Sequence, residues 1–516
     1  MSLVTWPTIS RDGSAGEETM EKSDLILVID EGTTSTRAIA FDQSFSPVAL
    51  AQSEVPLTYP NDGWVEQDGE AIWQKTLSVC QEVISEVGGA DRIAAIGITN
   101  QRETTLIWDR ETSAPIAPAI IWQDRRTADL CETLKANGLE DLVQQTTGLL
   151  IDPYFSGTKV AWLLDNVEGA RPRAEAGELA FGTVDSYLIW RLTGGAVHAT
   201  DLTNASRTLL YPLSTDPHSE WSSELLDLLN VPKSLLPDVR PSGAQFGETD
   251  PDLFGRTIPI LSAIGDQQAA LVGQGCLAPS TAKITYGTGA FLVANTGTEA
   301  PKSENRLLGT IGYGIEEGGA AYALEGAIFN AGTVVQWLRD ELGLIADASE
   351  SERLATGLSD NAGVYIVPAF TGLGAPHWDA NARGAITGLT RAASAAHLVR
   401  AGLESAAYQT NDLLMAFEAD GAEVSVLRVD GGMAANDWLM QFIADICDRP
   451  VERPDFMEMT ALGAAALAGM KLGWVSEEAW GNRTAPGQRF EPNMAPNVRA
   501  GLIAGWQRAL RQTLTQ

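Results

Sequence analysis

The chain has 516 residues, 44% of them hydrophobic and 20% charged, enough for two to four domains of roughly 150 residues and a large core without covalent staples. Its formal net charge of −32 and pI near 4.4 argue against nucleic acid or an anionic membrane as a partner. The same field opposes any polyanionic ligand unless its site is locally cationic or metal-assisted. No apolar run reaches the roughly 18 residues of a membrane span. Cys80, Cys131, Cys276 and Cys447 form no C-x-x-C pair, which fits reduced thiols in a cytoplasmic protein. His198, His218, His377 and His397 are too scattered for a histidine metal site.

Residues 1–23 carry Arg11, Asp12, Gly13, Glu17 and Glu18 and no apolar core of a signal peptide, so a disordered leader is expected, with Met20 as an alternative start. The first element is a hairpin from Leu25 to Asp42. Leu25 to Ile29 is continuously apolar, as in a strand buried on both faces, and Ala38 to Phe41 is its partner. Between them lies Asp30-Glu31-Gly32-Thr33-Thr34-Ser35-Thr36-Arg37. Its hydroxyls, backbone N–H groups and one guanidinium suit phosphate oxygens. Asp30, at the end of a buried strand, is placed to hold a hydrated Mg²⁺.

Asp68 caps a helix whose apolar positions include Ile72, Leu77, Cys80, Ile84 and Val87. The strand Ile93–Ile98 ends in Asn100-Gln101-Arg102-Glu103-Thr104-Thr105. Polar residues at the C-terminal end of a buried strand are where α/β ligand sites form. A second apolar-to-polar junction holds Trp122, and a Pro/Gly loop from Asp152 to Lys159 holds Tyr154. Either aromatic serves as core or as a wall against the carbons of a small polyol. Ile258 to Ile264 is a strand that delivers Gly265-Asp266-Gln267-Gln268 to an Ala-rich helix. Asp266 is placed as a catalytic carboxylate, or as a helix cap.

The second half opens near Gln274 with another hairpin, Lys283 to Asn295, around Tyr286-Gly287-Thr288-Gly289. Two strand–turn–strand units about 250 residues apart suggest a duplicated domain, each copy presenting a phosphate-gripping turn to a shared cleft. That layout resembles the ATPase fold of actin, hexokinase and the heat-shock chaperones. Ala323 to Trp337 is expected as a helix with Gly332 and Gln336 a turn apart. Val364 to Phe370 is expected as a strand, Leu398 to Phe417 as a long helix, and Val426 to Val429 as a strand. The last runs into Asp430-Gly431-Gly432 and a helix beginning at Asn436, a turn resembling an adenosine site. Leu462 to Met470 reads as a small-residue helix packed behind that turn. There is no G-x-x-x-x-G-K-[ST] loop and no H-E-x-x-H.

Seven motifs in order, DEGTTSTR (30–37), NQRETT (100–105), DPYFSGTK (152–159), GDQQAA (265–270), YGTG (286–289), FTGLGAP (370–376) and DGG (430–432), resemble the glycerol-phosphorylating branch of the FGGY carbohydrate kinase family. The resemblance runs from about Leu25 to Met470. It implies an α/β fold of two ribonuclease H-like ATPase domains flanking a cleft: 24–274 for polyol and phosphate, 275–516 for nucleotide. By resemblance, Arg102, Glu103, Tyr154, Asp266 and Gln267 would bind the polyol hydroxyls, and Trp122 and Phe291 its carbons. Thr33, Thr34, Ser35, Arg37 and Thr288 would contact phosphates. Gly332, Gln336, Gly432 and Asn436 would serve the nucleoside, Asp30 the Mg²⁺ water shell, and Asp266 would be the base.

The implied reaction is glycerol plus ATP giving sn-glycerol 3-phosphate plus ADP, by a homodimer or homotetramer. Glu31 stands where the family commonly has Gln and is expected to face away from the phosphates. Residues 245–256 lack the Gly-rich run of members inhibited by fructose 1,6-bisphosphate, and the histidine of phosphorylation-activated members is not seen. Neither control is therefore expected. The competing readings are a kinase for another small polyol or ketose, and a non-catalytic nucleotide switch. The Arg102-Glu103 pair and Asp266 speak against the switch.

Overall fold

A computed structural model describes residues 23–213, 220–315, 319–456, 458–483 and 487–515. The leader up to residue 22, and His218, lie outside the described residues. Strands β1 (Leu25–Glu31) and β2 (Ser35–Phe41) form the expected first hairpin, extended by β3 (Pro47–Glu54). Every residue of β1 is buried. Helix α1 (Gly69–Glu86) starts where Asp68 accepts the N–H groups of Glu70 and Ala71, satisfying donors that have no partner within the helix. Its buried stripe is Ile72, Trp73, Val79, Cys80, Val83 and Ile84, with Leu77 and Val87 only partly covered. Strand β4 (Ile93–Asn100) runs parallel to β1. Helix α2 (Ser156–Asn166) begins inside the Pro/Gly loop. Strand β5 (Ile260–Gly265) is parallel to β4 and feeds α3 (Asp266–Gly273). The sheet order is β5-β4-β1-β2-β3.

The second half repeats this plan with β6 (Thr281–Tyr286), β7 (Ala290–Gly297), β8 (Leu308–Gly314) and β9 (Ala320–Ile328). Helices α4 (Gly332–Asp340) and α5 (Ala395–Ala419) follow, then β10 (Val426–Asp430). Next come α6 (Asp437–Cys447), β11 (Val451–Pro454), α7 (Met459–Leu472) and β12 (Gly487–Phe490). The order is β8-β9-β7-β6-β10-β11-β12. Three antiparallel strands followed by two parallel ones, β9-β7-β6-β10-β11, match β3-β2-β1-β4-β5. This is the two-domain α/β ATPase plan anticipated from the paired hairpins.

Three sequence expectations need correction. Residues 323–328 are strand, not helix, and helix begins only at Gly332. In β9, Glu325 faces two buried arginines and is an internal counter-ion. The strand expected over 364–370 is confined to Tyr365–Val367. The small-residue helix α7 does not sit behind the Asp430 turn. It packs on α3, β1, β4 and β5 of the first half. Ile26 and Val28 face it, while Leu25, Leu27 and Ile29 face α1, the alternation of a strand buried on both sides. The α3–α7 crossing is backbone-close: a Cβ on Gly463 would lie 1.9 Å from Ala269 O, and one on Gly273 2.0 Å from Met459 O.

Candidate active site

A cavity of about 190 Å³ lies between the two halves, lined on one side by Thr33, Arg102, Glu103, Trp122, Tyr154, Asp266 and Gln267. Thr285, Gly287, Thr288, Gly289 and Phe291 line the other. The first set comes from the ends of β1, β4 and β5 and from two loops. The second is the turn of the second hairpin. All the residues expected to bind the polyol meet here, with one hydroxyl of each phosphate turn, Thr33 and Thr288. A larger cavity of about 450 Å³ adjoins it, sharing Trp122, Tyr154 and Phe291 as a wall.

Asp266 is the first residue of α3, with Gly265 as the cap. Its Oδ1 accepts the Gln267 N–H at 2.7 Å and faces Arg102 Nε at 3.2 Å. Burial pushes its carboxyl above the usual range, while Arg102 and Lys283 pull it back. Arg102 is itself buried and saturated. Its terminal nitrogens donate to Glu325 Oε2 at 2.5 Å and Oε1 at 3.1 Å, to Gln268 Oε1 at 3.2 Å, and to Tyr154 Oη at 3.5 Å. A ligand hydroxyl reaches this guanidinium most cheaply by replacing the long Tyr154 contact. Glu103 takes a left-handed backbone, φ 61°, an uncommon choice for a residue with a Cβ. It accepts from Arg207 Nε at 2.7 Å. Its carbonyl is pinned by Ser156 Oγ at 3.0 Å and Lys159 Nζ at 3.4 Å, and the same ammonium donates to Tyr154 O at 2.7 Å. With backbone acceptors only, burial pulls Lys159 down to about 7.

Trp122 Nε1 donates to Thr33 Oγ1 at 3.0 Å, tying the apolar wall to the turn of the first hairpin. Its ring meets Tyr154 and Phe291 edge-on, with centroids 5.8 and 6.3 Å apart. Asp30 is nearly buried, and its carboxyl is pushed up to about 6 by burial, against the pull of Arg37 and with help from Glu458 and Asp266. Arg37 Nη1 lies 3.7 Å from Asp30 Oδ2 but donates to Glu458 Oε2 at 2.5 Å. A phosphate would therefore compete with Glu458 for Arg37. Glu31 turns away from the cleft, accepting from Thr76 Oγ1 of α1 at 2.9 Å, and burial raises it to about 8. Thr34 is exposed and Ser35 half-buried in the same turn.

The nucleoside candidates gather at another edge of the cleft. Gly332 N donates to Gly287 O at 3.0 Å. A Cβ there would sit 2.5 Å from that oxygen and 3.7 Å from Met433 Sδ, so only glycine lets the start of α4 rest on the Thr288 turn beside the Gly432 turn. Gln336 lies on the next turn of α4, exposed. Asn436 caps α6, its Oδ1 accepting the Leu439 N–H at 2.9 Å, which leaves its amide N–H₂ for another partner.

Sequence reasoning did not assign Glu325, Arg207 or Lys283. Burial alone would raise Glu325, but Arg102 and Arg207 hold it down at about 2. The available signal was a charge inside an apolar strand: Glu325 in Ala-Leu-Glu-Gly-Ala-Ile, and Lys283 in the second hairpin. Arg207 carried no such signal.

Two family models match the chain: the N-terminal domain of the FGGY family of carbohydrate kinases over residues 25–273, and its C-terminal domain over 282–472. A glycerol kinase of Rhodospirillum centenum is 59% identical over 491 residues, 95% of this chain and 98% of that protein. Glycerol kinase 1 of Pseudomonas aeruginosa is 54% identical over 496 residues, 96% and 100% of the two chains. Among solved structures, Plasmodium falciparum glycerol kinase with ADP superposes with a TM-score of 0.89 at 36% identity, covering 96% of this chain and 99% of that one. The chain belongs to the FGGY family of carbohydrate kinases.

Proposed function

We propose that the protein transfers the terminal phosphoryl group of ATP to glycerol, giving sn-glycerol 3-phosphate and ADP. The observation that carries this reading is the convergence of Asp266, Arg102, Glu103 and an aromatic wall in a cavity that both phosphate-type turns reach. The similarity to glycerol kinases over nearly the whole chain supports it.

Asp266 orients the attacking hydroxyl and takes its proton late. A carboxylate is far too weak a base to ionise an alcohol beforehand, and a loose transition state does not require that. Arg102 keeps Asp266 in place, and Glu103, Tyr154 and Gln267 sort the remaining hydroxyls. Trp122 and Phe291 cover the carbons and exclude water, which otherwise competes as acceptor. Thr33, Thr288 and the backbone N–H groups of the two turns cradle phosphate oxygens, with Arg37 supplying a cation beside the first turn.

The residues around Asp30 fit a hydrated Mg²⁺. The Asp30 carboxylate, its side chain 11% exposed and in the field of Glu458 and Asp266, suits an ion that keeps its waters and uses few direct ligands. When bound, that ion neutralises charge on the phosphoryl oxygens. Gly332, Gln336, Gly432 and Asn436 hold the nucleoside.

The test is ADP release with Mg²⁺-ATP across glycerol, dihydroxyacetone, erythritol, xylulose and ribulose. Glycerol should dominate, with little turnover of the ketoses. Turnover confined to a larger acceptor would overturn the substrate, and acceptor-independent hydrolysis alone would overturn the reading.

A further inference from the structure

Lys283 is a fully buried ammonium on β6, in the second half of the chain. Its Nζ donates across the domain boundary to Gln267 Oε1 at 2.5 Å, and to Thr285 Oγ1 at 3.0 Å. Both acceptors line the cavity, although Lys283 itself does not. The charged groups facing it are Asp430 on β10, Asp266 on α3, Arg102 after β4 and Glu325 on β9. Glu325 is already committed to Arg102 and Arg207. Asp430 accepts from Gln274 Nε2 at 2.9 Å, at the other end of α3. The helix that presents Asp266 therefore rests on the second sheet through polar contacts at both ends, and Lys283 is the cation at the end nearer the acceptor. A buried ammonium is costly unless nearby charge and hydrogen bonds compensate. A methionine of similar length would pack there without that cost, so packing alone gives no reason for the charge.

We infer that Lys283 is a positioning residue of the acceptor site: it clamps Gln267 and sets a cation beside the adjacent Asp266 while the two halves are seated on each other. The inference rests on the reading of Asp266 as the acceptor carboxylate. Lys283 does not line the cavity; it acts through Gln267 and Asp266. The charged groups facing Asp266 are Arg102 and Lys283, both cationic, and the carboxylates Glu325 and Asp30. Removing one of two cations must raise the pH at which Asp266 gains a proton. Burial also draws the Lys283 ammonium down to about 8, so its support weakens in mildly alkaline solution.

The test compares wild type with Lys283→Met, Lys283→Gln and Lys283→Arg, using whichever acceptor gives the highest wild-type kcat/KM. Three quantities are read: the pH profile of kcat/KM for the acceptor, the acceptor KM, and equilibrium binding of Mg²⁺-ADP. In the Met and Gln variants the acid limb should move up by about one pH unit, and the acceptor KM should rise about tenfold through the lost clamp. ADP affinity should stay within about twofold, and the Arg variant should restore the acid limb. An unmoved acid limb and KM with ADP binding intact would overturn the inference. Loss of ADP binding in all three variants would do the same, by assigning Lys283 to folding alone. Because the acceptor is chosen by wild-type turnover, a wrong assignment of glycerol leaves this comparison decisive.

Discussion

Glu325 supplies the negative charge between Arg102 and Arg207, with all three side chains buried. Glu325→Gln leaves two guanidinium groups facing a neutral amide, so stability should fall by about 3 kcal/mol, read from urea unfolding. The pH sign follows from the depressed carboxyl: from an ordinary 4.5 it is held at about 2. Its contribution is complete above 4.5 and drains away as the pH falls towards 2. Wild type should lose stability steeply across that window, and the Gln variant less steeply. Glu31 behaves in the opposite sense. Its folded value of about 8 lies above its ordinary 4.5, so the fold favours the protonated form and loses stability as pH rises from 4.5 to 8. Glu31→Gln, neutral and of the same shape, should raise the melting temperature at pH about 8 by relieving roughly 4 kcal/mol, and much less near pH 4.5. Equal effects at both pH values would show that the carboxyl is not buried against Thr76. That Asp266, Arg102 and Tyr154 line one cavity had local signals: the first two are polar residues at the ends of apolar runs, and Tyr154 is an aromatic in a Pro/Gly loop. Glu325 stood out only as a charge in an apolar run and Arg207 not at all, because the role of a buried charge shows only beside a partner 223 or 118 residues away in sequence.

The crossing of α3 and α7 decides how the halves are joined. With Gly463 Cα against Ala269 O, an alanine there would drive a Cβ to 1.9 Å from that oxygen. Gly463→Ala should therefore destabilise by about 3 kcal/mol, seen as a lower urea midpoint. An unchanged midpoint would mean that the helices slide apart freely. The hairpins, β4, β5, α5 and β10 were readable because an apolar run bounded by turn residues, or a long amphipathic repeat, is a local signal. The error over residues 323–337 has a local cause too. Ala-Leu-Glu-Gly-Ala-Ile-Phe carries good helix formers, but Leu292 and Val293 of β7 supply strand partners that win. The small residues of α7 announced close packing, but not against which element, since its partner α3 is fixed by the chain path and not by composition.

At the scale of the molecule, the charge of −32 sets a repulsive field around a site meant for a nucleotide. Salt screens that field, so raising ionic strength from low to physiological should increase kcat/KM for ATP by about two- to threefold. A decrease would place a dominant cationic patch at the cleft mouth. The duplicated sheets put Asp266 on one half and the Thr288 turn on the other, and the cavity lies where they face each other. The most direct measurement is ADP release by Asp266→Asn with and without glycerol, alongside equilibrium binding of Mg²⁺-ADP. The account predicts that nucleotide affinity persists while glycerol-dependent turnover falls by about two orders of magnitude or more. Near-normal turnover would remove Asp266 from the reaction and contradict the account.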